Sequence, residues 1–242
     1  MPTLSEKQLS EGYYAEPESF MGVALRTIQT GSSFSYKAVQ VKDYKGQDKL
    51  WLACTQLYNT KPKEQKRIVN EWAEFLQTNT KTIKLLYFRS RVPQALFDAA
   101  CYQENLEELH FKWGGYKDLS ALNKLSNSKH LKHLYIGSGA GVEDILPLTE
   151  MKNLVSLYIE NFKRIADYSP IAKLQNLEQL VISGPILGNT PIQDLEFLRD
   201  MPNLRSFFHP GTTIKRKYTE EDWEKLRADL SHLKFMSSSE PF

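Results

Sequence analysis

Glu108, His133 and Ser156 fall at one recurring register of the chain, 25 and 23 residues apart. An acid, a base and a hydroxyl side by side stand in the order of a hydrolase triad. Such a serine also needs free N–H donors aimed at the developing oxyanion, supplied by a sharp turn or a helix N-terminus. Ser156 lies instead in "NLVSLYI", which reads as a strand whose N–H groups are spent on pairing. Hydrolysis through Glu108, His133 and Ser156 is therefore a remote alternative, and the chain is expected not to be an enzyme.

Other groups with chemical potential fare no better. The glycine-rich "GSGAG" at 137 to 141 precedes a segment that opens on Asp144, an anion where a phosphate would sit, so a tight turn is expected. His130 and His133 are three apart on a strand and point to opposite faces, while His209 and His232 have no sequence partners. Cys54 and Cys101 lie in apolar segments without metal-ligand spacing and read as buried reduced thiols. Neither a metal nor a cofactor is implied.

The charge balance excludes further classes. The 31 basic and 29 acidic residues are mixed along the chain for a net charge of +2, unlike the concentrated basic face that nucleic-acid binding needs. Lys215-Arg216-Lys217, the densest basic run, reads as a solvated turn. No apolar run approaches a membrane span, and "FMGVAL" near the start is interrupted by glycine, so a cytoplasmic protein without a membrane partner is expected.

The elements that would position these residues repeat. "TIKLLYF", "NLEELHF", "HLKHLYI", "NLVSLYI", "NLEQLVI" and "NLRSFFH" share one frame, with first anchors Ile83, Leu106, Leu131, Leu154, Leu177 and Leu204 separated by 23, 25, 23, 23 and 27 residues. Such a period signals a solenoid. Anchors three and five positions on, such as Leu157 and Ile159, alternate with variable residues as in a strand with one buried face. Each of Asp118, Asp144, Asp167 and Asp194 is followed by apolar residues at +1, +4 and +7. That spacing suits a short helical or 3₁₀ segment, with the carboxylate accepting from N–H groups at its start.

The pattern L-x-x-L-x-[LI], then D-[apolar]-x-x-[LI]-x-x-[LM], resembles leucine-rich repeats of the short bacterial, internalin-like class. The resemblance covers residues 82 to 209 and implies an α/β solenoid of about six repeats, with parallel strands on the concave face, short helical or 3₁₀ segments on the convex face, and helical caps. Family repeats carry an asparagine three positions after the third strand anchor, whereas that column here reads Arg91, Gly114, Gly139, Phe162, Pro185 and Thr212. The inner loops must be held by other means. Four extra residues in "SGPILGNTPIQD" predict a loop projecting at 184 to 193.

The ends divide the chain into an N-terminal extension at 1 to 60, a capping helix at 61 to 81, repeats at 82 to 210, and a second capping helix and tail at 211 to 242. Ile68, Trp72, Phe75 and Leu76 form one face of the first helix; Thr219 and Asp222 resemble a capping box for the second, with Trp223, Leu226 and Leu230 as its stripe. Residues 35 to 59 suggest a hairpin around Lys45-Gly46, or a strand followed by a helix from Asp48; the second is favoured. "MPTLSEKQLSEGYYAEP" and "SSSEPF" are expected to be loose.

Stacked strands turn columns of the repeat into rows about 4.8 Å apart on the concave face. The central row is Tyr87, His110, Tyr135, Tyr158, Val181 and Phe208, flanked by Glu108, His133 and Ser156 on one side and by Arg89, Lys112 and Glu160 on the other. Tyrosine-rich surfaces with polar edges suit protein recognition. The expected function is non-enzymatic binding of another protein through this row by a monomeric scaffold. An alternative is an inhibitor or immunity protein that neutralises a toxin or effector.

Overall fold

The computed structural model describes residues 4–11, 37–185 and 187–237. Its strands are β1 (Lys37–Ala38), β2 (Lys49–Leu52), β3 (Leu85–Pro93), β4 (Glu108–Gly115), β5 (His133–Ile136), β6 (Ser156–Glu160), β7 (Gln179–Ser183), β8 (Thr190–Ile192), β9 (Ser206–Phe208), β10 (Thr212–Ile214) and β11 (Phe235–Ser237). Nine of them form one sheet in the order β1-β2-β3-β4-β5-β6-β7-β9-β11, and β8 pairs with β10 in a second. Every pairing is parallel. The chain returns between strands through α2 (Pro62–Thr78), α3 (Gln94–Ala100) and 3₁₀ segments at Ser120–Leu125, Leu146–Glu150, Ser169–Lys173 and Glu196–Asp200. This is a leucine-rich-repeat solenoid. Among the described residues no helix is long and apolar enough to cross a membrane.

The alternation within each strand sends one face inward. Leu109, Leu134, Leu157, Leu180 and Phe207 are fully buried in one continuous core with Phe111, Ile136, Ile159 and Ile182. The same inward pair recurs earlier than the repeat pattern indicated, because Leu50 and Leu52 of β2 are fully buried and pair in register with Leu86 and Phe88. The helix expected from Asp48 is therefore not formed, and neither is the hairpin, since β1 runs parallel to β2. Pairing with the next turn outweighs a helical spacing that only this one segment carries. Helix α2 buries Ile68, Trp72 and Leu76 and follows β2 rather than preceding the sheet; its Trp72 Nε1 donates to the Val39 carbonyl at 2.9 Å.

The four aspartates act as expected. Asp118, Asp144, Asp167 and Asp194 each accept from the N–H two residues on, at 2.8, 2.8, 2.9 and 3.0 Å, opening the four 3₁₀ turns. At the C-terminal end α4 (Glu220–Asp229) starts with the reciprocal Thr219–Asp222 box, and Trp223 packs against the core. One more strand, β11, then pairs with β9. The tail beyond residue 237 lies outside the described residues.

An asparagine ladder does exist, on a column other than the family position. The asparagine immediately before the first anchor donates its Nδ2 to a carbonyl of the preceding turn: Asn105 to Lys81 at 2.6 Å, Asn153 to Ser128 at 2.9 Å, Asn176 to Lys152 at 2.8 Å and Asn203 to Gln175 at 2.8 Å. Each amide occupies a carbonyl at the approach to a strand that would otherwise lack a partner in the sheet. His130 interrupts the column, and there Ser128 Oγ accepts from the Leu131 N–H at 3.3 Å instead.

The projecting loop has two parts. Leu187 is almost fully exposed and Gly188 has φ +98°, whereas the second half becomes β8 and pairs with the following turn. The "GSGAG" stretch is a close-packed turn, since a β-carbon at Gly137 would lie 2.2 Å from the Lys112 carbonyl oxygen. Gly137→Ala should consequently lower unfolding stability by more than about 2 kcal/mol, whereas Asn153→Ala or Asn176→Ala should each lower it by about 1 kcal/mol. Urea denaturation followed by circular dichroism measures both; similar losses for the glycine and asparagine variants would contradict the packing assigned to Gly137.

Candidate functional site

The central row is in register along the sheet: Tyr87 pairs with His110, His110 with Tyr135, Tyr135 with Tyr158, Tyr158 with Val181 and Val181 with Phe208. Trp51 of β2 extends it by one position. Successive ring centroids lie 5.3, 3.9, 3.9 and 4.3 Å apart from Trp51 to Tyr158, ending in a stacked tyrosine pair. Exposure divides this row. Trp51, Tyr87, His110 and Val181 are buried, whereas Tyr135, Tyr158 and Phe208 are half-buried.

The flanks hold the row in place. Tyr135 donates its hydroxyl to Glu160 Oε2 at 2.8 Å, which fixes the ring against its neighbour. Arg89 lies 4.7 Å over the Trp51 ring, and Lys112 lies 4.9 Å over Trp113. Arg89, Lys112 and Glu160 are all partly exposed. The first two present cations along the N-terminal half of one rim, with an anion following at Glu160.

Glu108, His133 and Ser156 are direct neighbours, as the register requires. Their surroundings do not suit hydrolysis. Ser156 Oγ donates to Gln179 Oε1 at 3.4 Å, and the Ser156 N–H is committed to the Lys132 carbonyl at 3.0 Å. Burial, reinforced by Lys132, pushes the His133 imidazole down to about 3, leaving it a poor base near neutral pH. Burial also pushes Cys54 up to about 12, and Cys101 is raised as well; both thiols are free and buried. Among the described residues no group of three histidine, cysteine or acidic side chains could hold a metal ion.

The C-terminal part of the flanking row, Gln179 and Ser206, is covered by α1 (Glu6–Glu11), a helix within the stretch expected to be loose. Its start is a capping box: the Ser5 N–H donates to Gln8 Oε1 at 2.8 Å, and the Gln8 N–H donates to Ser5 Oγ at 3.1 Å. Leu4 and Leu9 bracket the box as a hydrophobic staple and pack with Val155 and Phe235. Gln179 Nε2 donates to the Gln8 carbonyl at 2.8 Å and Ser206 Oγ to the Leu9 carbonyl at 2.7 Å. Arg205 and Lys234 meet the Glu6 carboxylate at 3.0 and 2.5 Å. The signal "LSEKQL" was present in the sequence, but it lies outside the repeat. The rest of the stretch beyond residue 11 lies outside the described residues.

A second missed feature is the column after the first anchor: Lys84, Glu107, Lys132, Val155, Glu178, Arg205 and Lys234. Lys84 pairs with Glu107 and Arg205 with Glu178, both at 3.2 Å. This edge charges one lip of the concave face and supplies the contacts to α1.

No protein-family model and no curated protein matches the sequence. Among solved structures the chain is similar to an internalin (inlF) of Listeria monocytogenes, with TM-score 0.49 and 23% identity over 77% of this chain and 53% of that one. Internalin C2 of the same species gives 0.42 and 21%, over 70% and 78% of the two chains. A leucine-rich-repeat protein of Leptospira interrogans gives 0.44 and 17%, over 76% and 54%. The chain thus spans about half the length of the first and third. The likeness is one of fold, and the repeat architecture stands on the strand order and register above.

The buried histidines set an acid limit. Desolvation, with Lys112 adding to it, holds His110 well below the ordinary imidazole range, and burial takes His209 down to about 4. Between pH 6.5 and 4 the unfolded chain therefore binds more protons than the folded one, so stability is full above pH 6.5 and falls on acidification. Each of these rings, and His133 with them, should contribute up to about 1.4 kcal/mol per pH unit for as long as its folded imidazole stays neutral. Urea midpoints should hold steady from pH 8 to 7 and decline from 6.5 to 5, less steeply in a His110→Phe variant; an unchanged midpoint at pH 5 would contradict the neutral burial of these rings.

Proposed function

We propose that the protein is a non-enzymatic scaffold that binds another protein on the concave face of its solenoid. The observation that carries this reading is the Tyr135–Tyr158 pair, stacked at 4.3 Å, half-buried, and tied to Glu160 through the Tyr135 hydroxyl. Rings fixed in this way lose little rotamer freedom on binding while offering a large apolar area with a polar tip. Phe208 extends the contact, and Arg89, Lys112, Glu160 and His133 form its polar margin. Tyr87, His110, Val181 and Glu108 are buried beneath or beside it, so their part is to fix the exposed rings rather than to touch the partner first.

Two central anchors of this kind are each expected to cost about 2 kcal/mol or more when truncated. A Tyr135→Ala, Tyr158→Ala double variant, folded by circular dichroism, should lose in a pulldown from native lysate a partner that the wild-type chain retains. Retention by both chains would remove the stripe from the binding surface and leave it as sheet packing.

A further inference from the structure

Residues 4–11 sit on the concave face as a ligand would. Leu4 and Leu9 enter a small apolar patch with Val155 and Phe235 that is separate from the solenoid core. Polar groups of the face match the rest: Arg205 and Lys234 take the Glu6 carboxylate, while Gln179 and Ser206 take the Gln8 and Leu9 carbonyls of the helix's last turn. The Leu4 backbone joins too, its N–H donating to Glu178 Oε2 and its carbonyl accepting from Arg205, both at 3.2 Å. A helix of six residues is not stable alone, so the face gives this segment its conformation. The groove continues into an open cleft of about 720 Å³, which Lys132 and His232 help to line with Arg205 and Lys234. That is more room and more basic surface than residues 4–11 use.

We propose that this groove is a receptor for a short N-capped helical segment of a partner protein, one with a leucine just before the cap, a second leucine five positions on inside the helix and a carboxylate between them, and that residues 4–11 fill it in cis until such a segment displaces them. The proposal rests on the reading of the concave face as a partner surface and adds the chemistry of what docks there. Tethering gives the resident segment an effective concentration in the millimolar range. An incoming helix must therefore compete with it, and loss of the resident leucines should open the site.

The test uses a fluorescein-labelled peptide of residues 1–11, titrated by anisotropy against the full chain and against a full-length Leu4→Asp, Leu9→Asp variant. The peptide should bind the variant at least tenfold more tightly than wild type. A Glu6→Lys peptide should bind the variant at least tenfold more weakly, and so should the original peptide when the variant also carries Arg205→Glu. If the doubly substituted chain loses its circular-dichroism signature, full-length Glu6→Lys takes its place. No saturable binding to either chain, or binding indifferent to Arg205, overturns the proposal. A wild-type dimer in light scattering that the variant abolishes also overturns it, by making a second copy the occupant. Peptide binding with no loss of partner on Tyr135→Ala, Tyr158→Ala, or the reverse, separates this inference from the reading of the aromatic row.

Discussion

A single turn of this chain has only two or three inward apolar side chains on its strand and as many on its return, too few to fold alone. Everything therefore depends on the parallel, in-register stacking of one turn on the next, which joins these small faces into one continuous core. Register makes columns into rows. The four aspartates that open the 3₁₀ turns, the asparagines that reach back one turn and the rings along the concave face are all products of that repetition.

The same repetition sets polar side chains next to one another without supplying the donors that hydrolysis needs. Glu108, His133 and Ser156 adjoin because their strands do, yet the ladder that aligns them also consumes the N–H group an oxyanion would need. Burial weakens the imidazole as a base. What the flanking row does is hold a backbone: Gln179 and Ser206 donate to carbonyls of α1, with Ser156 bonded to Gln179 beside them. A row of polar side chains across adjacent strands is well suited to receiving another segment of chain, because its spacing and direction are already set.

Much of the architecture was legible. Period, strand alternation, the aspartate turns, α2 and the Thr219–Asp222 cap follow from local patterns of three to seven residues. Leu50 and Leu52 were harder to place, since a four-residue strand and a helical spacing overlap at that segment and only pairing with Leu86 and Phe88 decides between them. The asparagine ladder was visible in every "NL" of the repeat but stands on the approach to the strand rather than after it. The Ser5–Gln8 box with its leucine staple obeys a simple rule; its isolation from the repeat hid its role.

By itself the sequence determined the repeat, the inward face of each strand in it and the rows that must lie on the concave surface, because these are periodic properties carried by near neighbours in the chain. Tertiary structure alone decided that Tyr87 and His110 are buried while Tyr135 and Tyr158 are partly exposed, and that α1 lies across the flank of β6, β7 and β9. Burial and docking depend on contacts such as Gln8 with Gln179 and Leu9 with Ser206, 171 and 197 positions apart, and no local pattern encodes a separation of that length.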